Sequence, residues 1–318
     1  MVYACGTNES DKSQQKLSID QLFKKHPDSV PILIEHGNVM LKRYDFDKAL
    51  QDGAKAYRLQ PNNLAARFLY ANALNNRASR TVSDVATAQK HFKYILKKEP
   101  KNLPALVALA STYSQQGDYD KAFYHANEAL RIDKHYRDAY TLKGTLYRTL
   151  GKGDLAKSSY QTAIDQDPNF FEAYLQLGVL YQEEKNPLAI QYFTTATQLR
   201  PNSMDALYNL AFAHQEFNQI KEAQETYRAM LKKDPDFSTS LFQLGCIKQN
   251  QEKDLDSAIY FFNETLTKEP RFVEAWHNLG YCTELKGNKY QAIQYYQKAL
   301  KYNPDFELSI EAITRLSK

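Results

Sequence analysis

The stretch Val273–Pro304 reads VEAWHNLGYCTELKGNKYQAIQYYQKALKYNP. Trp276, Leu279, Gly280 and Thr283 fall at offsets of three, four and seven, and Ala292, Tyr296 and Ala299 at offsets of four and seven. Those spacings bring side chains onto one face of a helix. A Gly-containing turn separates the two patterns and Asn303-Pro304 closes them. The stretch therefore predicts a helical hairpin whose two apolar stripes face each other.

The same pattern runs back along the chain. Pro27, Pro61, Pro100, Pro168, Pro201, Pro235, Pro270 and Pro304 punctuate it, with Lys134 filling one vacancy, at spacings of 34, 39, 34, 34, 33, 34, 35 and 34. Proline cannot continue a helix and pushes the residue before it out of helical geometry. Each Pro thus closes one helix and opens the link to the next. So long and constant a period predicts a stacked array of helical units.

Counting position 1 as the third residue after each Pro, positions 4, 7, 8 and 11 carry the inter-helix face: Leu106, Leu109, Ala110 and Tyr113 in one repeat, Tyr174, Leu177, Gly178 and Tyr181 in another. Position 20 is Ala throughout, at Ala49, Ala88, Ala122, Ala156, Ala189, Ala223, Ala258 and Ala292. Small residues at 8 and 20 let paired helices approach closely, and larger ones would strain the contact. Position 24 is mostly aromatic (Phe92, Tyr160, Phe193, Tyr227, Phe262 and Tyr296) and fills the space beside it.

These residues resemble the tetratricopeptide repeat over residues 28–306. The resemblance implies an all-α, right-handed superhelical solenoid of antiparallel helix pairs. Residues 1–16 are expected to form a flexible tether and 17–318 the solenoid. Its repeats fall at 30–63, 64–102, 103–136, 137–170, 171–203, 204–237, 238–272 and 273–306, with a capping helix at 307–318. The second repeat departs from the pattern. Five extra residues around Asn75–Asp84, with no Gly turn, predict a longer loop or first helix, or a loop that contacts a partner.

Composition fits a soluble folded chain: 43% hydrophobic, 25% charged, net charge +4. That charge alone does not argue for nucleic acid. Residues 1–100 carry 16 Lys+Arg against 10 Asp+Glu, and residues 171–318 carry 16 against 19, a mild basic-to-acidic gradient. Phosphate-loop, dinucleotide, zinc-protease and nucleophile-elbow motifs are absent from the sequence, so neither an enzyme nor a cofactor is expected. The seven His are scattered, with His36 and His214 at core positions. Cys246 and Cys282 sit on adjacent first helices, where semi-buried free thiols are expected and no metal site.

Val2-Tyr3-Ala4-Cys5-Gly6 resembles the end of a bacterial lipoprotein signal, in which the Cys is lipidated. Only four residues precede Cys5, where that pattern has a basic and then an apolar region. The resemblance implies a lipid anchor at Cys5 on the periplasmic side of a bacterial envelope. A cytoplasmic location is the alternative.

A second stripe marks the first helices. Position 6 is Gln176, Asn209, Gln243 and Asn278 in the last four complete repeats. An amide offers two donors and an acceptor, so it can pair with the main chain of an extended peptide. This run is similar to the asparagine ladder of O-linked N-acetylglucosamine transferase repeats, a likeness limited to the repeats. Tyr208, Phe242 and His277 at position 5, with Phe212 and Tyr281 at position 9, predict walls for peptide side chains. Glu172, Asp205 and Glu274 at position 2 predict an acidic edge suited to Lys or Arg. Positions 5 and 9 also border the neighbouring first helix, so part of this stripe serves inter-repeat packing. No three consecutive repeats carry the Lys, Asn and Arg set by which related domains clamp chaperone C-termini, and no such clamp is expected.

The expected function is thus a non-catalytic scaffold that binds an extended peptide or protein segment in the concave groove of the C-terminal repeats. The alternatives are a structural assembly factor of an envelope complex, or a regulatory subunit of a separate enzyme.

Overall fold

The computed structural model describes residues 17–317. The proposed tether and Cys5 lie outside the described residues. All regular structure among the described residues is helical, in eighteen helices. The chain divides into two compact units, one ending at Ser159 and the other beginning at Tyr160.

The first unit holds α1 (Ile19–Lys25), α2 (Val30–Lys42), α3 (Phe46–Leu59), α4 (Leu64–Asn76), α5 (Val82–Lys98), α6 (Leu103–Gln115), α7 (Tyr119–Ile132) and α8 (Arg137–Thr149). The division falls within α9 (Gly153–Gln166). The second unit continues with α10 (Phe171–Glu183), α11 (Leu188–Leu199), α12 (Met204–Glu216), α13 (Ile220–Lys233), α14 (Ser238–Asn250), α15 (Leu255–Lys268), α16 (Val273–Leu285), α17 (Lys289–Tyr302) and α18 (Glu307–Leu316). Each unit is a solenoid of stacked antiparallel helix pairs.

The pairs are close because of what they omit. A Cβ added to Gly178, Gly245 or Gly280 would stand 2.5, 2.6 or 2.8 Å from the ring of Phe193, Phe262 or Tyr296. Those three rings are fully buried, as are the alanines Ala189, Ala258 and Ala292 beside them. Two of the tyrosines at this place find a hydroxyl acceptor twelve residues back: Tyr227 donates to Gln215 Oε1 at 3.3 Å and Tyr296 to Glu284 Oε2 at 2.8 Å.

Three of the turns between repeats share a device that the periodicity does not reveal. Arg67 Nε, Tyr140 Oη and Trp276 Nε1, all at position 4, donate to the carbonyl oxygen six residues earlier: Pro61 at 2.6 Å, Lys134 at 2.9 Å and Pro270 at 2.9 Å. Each bond satisfies an acceptor that the broken helix leaves open. Within repeats, the turn passes through one left-handed residue: Gly117, Gly151 and Gly287, but also Tyr44, Lys185, Asn218 and Lys253.

The second repeat has no such residue. Its first helix, α4, keeps the 13 residues of α6, so the extra length is not there. Residues 77–81 make a longer link than Gln116–Asp118, and α5 runs to 17 residues where α7 has 14. Arg77 turns away in an extended conformation and pairs with Asp84 at 3.0 Å. Thr81 and Asp84 close a capping box on α5.

Candidate functional site

The second unit brings part of the stripe together. A cavity of about 510 Å³ lies across the first helices of three successive repeats. Leu175, Gln176 and Val179 line it from α10, Asp205, Tyr208 and Asn209 from α12, and Phe237 and Thr239 from the start of α14. Its floor is apolar and its rim carries two amides and a carboxylate. Asp205 is exposed, and neither it nor the half-buried Asn209 has a side-chain partner among the described residues.

The other amides stand outside this cavity and are engaged. Gln243 donates to Tyr208 Oη at 3.2 Å, and Asn278 points at Cys246 Sγ, 3.9 Å away. Each amide thus reaches back to the preceding first helix. Position 5 divides in the same way. Tyr208 stacks on Phe212 at 6.1 Å and, like Phe242 and His277, meets the buried ring of its own repeat, Tyr227, at 6.2 Å, but it also lines the cavity. Phe242 instead packs between Phe262 and Phe272, at 5.7 and 4.8 Å. His277 is wedged against Tyr296 and Phe306, with Ser309 Oγ at 3.0 Å from Nδ1. Of the acidic edge, Glu172 is neutralised by Arg200 at 2.6 Å, while Glu274 and Tyr281 are exposed away from the cavity lining.

Burial shields the two thiols among the described residues. Cys282 is fully buried and donates to Gln249 Oε1 at 3.2 Å. Burial pushes both Cys246 and Cys282 up to about 12. Both are free. Among the described residues no group of His, Cys, Asp and Glu has the arrangement of a metal site, and no helix is long and apolar enough to cross a membrane. Of the two core histidines, His36 is buried on Asp52 at 2.6 Å, whereas His214 is half-buried beside Gln219 at 2.6 Å.

Fold and stripe define a helical-repeat protein, and comparison with known proteins places the class. The family model described as the cytochrome c-type biogenesis protein H TPR domain matches residues 7–134. Tetratricopeptide repeat models match residues 144–185, 180–243 and 273–306. The chain belongs to the tetratricopeptide repeat family.

Among curated relatives, human protein O-mannosyl-transferase TMTC3 is 22% identical over 85% of this chain and 31% of its own length. The BBSome complex member BBS4 of Bos taurus is 25% identical over 84% of this chain and 52% of its own length. The chain thus spans 31% of one of these relatives and 52% of the other. A crystal structure of the anaphase-promoting complex hetero-tetramer Cut9–Hcn1 shares the fold, with a TM-score of 0.62, 17% identity, and coverage of 94% of this chain and 58% of that one.

Proposed function

We propose that the chain is a non-catalytic scaffold that holds an extended segment of another protein along the first-helix face of its second unit. One observation carries this reading. Gln176, Asp205, Tyr208 and Asn209 converge on one cavity in which Asp205 and Asn209 have no side-chain partner among the described residues. Asn209 offers both a donor and an acceptor to a peptide backbone. Leu175, Val179 and Tyr208 form a wall for one apolar side chain or for the stem of a long basic one. With Glu172 already paired, Asp205 is the carboxylate left to meet a Lys or Arg of the ligand. The company of complex-forming relatives such as BBS4 and Cut9 suits a scaffold. An envelope location, with Cys5 as the anchor point, remains part of this proposal and draws on the match over residues 7–134.

The test is affinity capture from native extract, with the full chain and an Asp205→Asn/Asn209→Ala variant side by side. A protein whose recovery falls about tenfold on the variant, with unchanged helicity, supports the reading. Equal recovery of every captured protein removes it.

A further inference from the structure

The first unit carries a second surface, at the aberrant turn of its second repeat, which the groove does not use. A cavity of about 400 Å³ opens between Arg80, Thr81, Val82 and Val85 on one side and Gln115 and Gln116, at the end of α6, on the other. Val82 is 82% exposed, more than any other large hydrophobic side chain among the described residues. A β-branched aliphatic residue at the first position of a helix gains nothing from such exposure.

The charge of the site is one-sided. Asp84 is consumed by Arg77, by the Thr81 hydroxyl and by the Thr81 amide. Arg80 reaches only the carbonyl oxygen of Arg77, at 3.5 Å, and no carboxylate among the described residues lies within ion-pair distance of it. The positive end of α5 adds to this field. At the end of α4 and just after it, outside the lining of the cavity, Asn75 is 2% exposed with Oδ1 unpartnered, and Arg77 Nε is likewise buried without an acceptor. Native interiors rarely leave such groups open.

We propose that this notch docks an acidic, extended peptide segment. A Glu or Asp of the segment pairs with the Arg80 guanidinium, a contact that is strong when bidentate. An aliphatic side chain of the segment covers Val82 and Val85. The exposed Gln115, whose Nε2 donates to the Asn75 carbonyl oxygen at 3.5 Å, offers its Oε1 as an acceptor to the segment's backbone N–H. The extra length of the second repeat thus builds a ligand site.

The experiment uses the full chain and two labelled peptides of sequence Glu-Leu-Glu-Ser-Leu-Glu and Lys-Leu-Lys-Ser-Leu-Lys, read by fluorescence anisotropy at low salt. Measured on the full chain carrying Asp205→Asn and Asn209→Ala, so that the groove of the other unit does not compete for the Lys peptide, the Glu peptide is expected to bind at least about tenfold tighter than the Lys peptide. Arg80→Glu is expected to abolish or reverse that preference, and Val82→Ser to weaken both peptides. Both positions are exposed, so helicity by circular dichroism stays unchanged. Asp205→Asn, in the other unit, leaves Glu-peptide binding intact, which separates this site from the groove. Absence of binding, equal binding of the two peptides, or indifference to Arg80→Glu each overturns the proposal.

Discussion

The ring of Phe193 occupies the place where a Cβ on Gly178 would stand, with Cε1 2.5 Å from that point. Close packing of α10 on α11 depends on this missing atom. Gly178→Ala is expected to cost about 1–3 kcal/mol, the usual toll of overpacking a tight core. Urea denaturation followed by circular dichroism reads it. Phe193→Leu in the Gly178→Ala background should recover part of the loss, a coupling that a double-mutant cycle isolates. An unchanged midpoint in the single variant would show that the helices can part at no cost.

That glycine was legible as a small residue at a fixed place in a period, and so were the alanine and the ring that meet it. The helical class follows from such repetition, because every copy restates the same packing problem. The site was legible only in part. Positions 2, 5, 6 and 9 were marked, but not their division of labour. Arg200 removes Glu172 from the acidic edge across 28 residues of sequence, and no spacing rule announces that pairing. Phe242 and His277 look equivalent to Tyr208 in register. Phe272 stacks on Phe242 and Phe306 meets His277 edge-on, whereas Phe237, in the corresponding place after Tyr208, lines the cavity instead. The extra residues of the second repeat break the period, so periodicity had nothing to say about which element absorbs them.

The donors at position 4 give a second prediction. Tyr140 Oη and Trp276 Nε1 each close a turn by donating to a carbonyl oxygen at 2.9 Å. Tyr140→Phe removes one hydroxyl and nothing else. It is expected to cost about 0.5–1.5 kcal/mol, the net worth of one hydrogen bond. Trp276→Phe should cost more, since the indole also carries the Lys298 ammonium 4.3 Å above its ring. Thermal melts of the two variants, compared with wild type, decide the order.

Lys185 holds a left-handed backbone with φ 53°, and Asn218 does the same at φ 59°. Lysine is strained there, whereas asparagine tolerates the region and glycine is at ease in it. Lys185→Gly is therefore expected to stabilise the second unit by about 1 kcal/mol. Asn218→Gly should change little. Denaturation midpoints of the two variants test the pair together, and equal shifts would sink the strain argument.

His277 ties α18 to α16 through Ser309 and the ring of Phe306, and packs against Tyr296 of α17. Burial lowers its pKa below the usual 6.5, and the nearby Glu284 only partly opposes this because Arg315 engages that carboxylate. The folded ring therefore binds fewer protons than the unfolded one. The stability this supplies is complete above 6.5 and is lost as pH falls from there through the lower folded value. Burial moves His91 and His125 in the same direction, so global melts sum all three. Hydrogen exchange within α18 isolates the local effect. After correction for intrinsic rates, protection of α18 is expected to drop between about pH 7.5 and pH 5.5 in the wild type, across the range where histidine titrates. His277→Gln, which keeps a hydrogen-bonding side chain beside Ser309 but does not titrate, should flatten that dependence. The same slope in both proteins would show that the docking of α18 does not depend on the charge of His277.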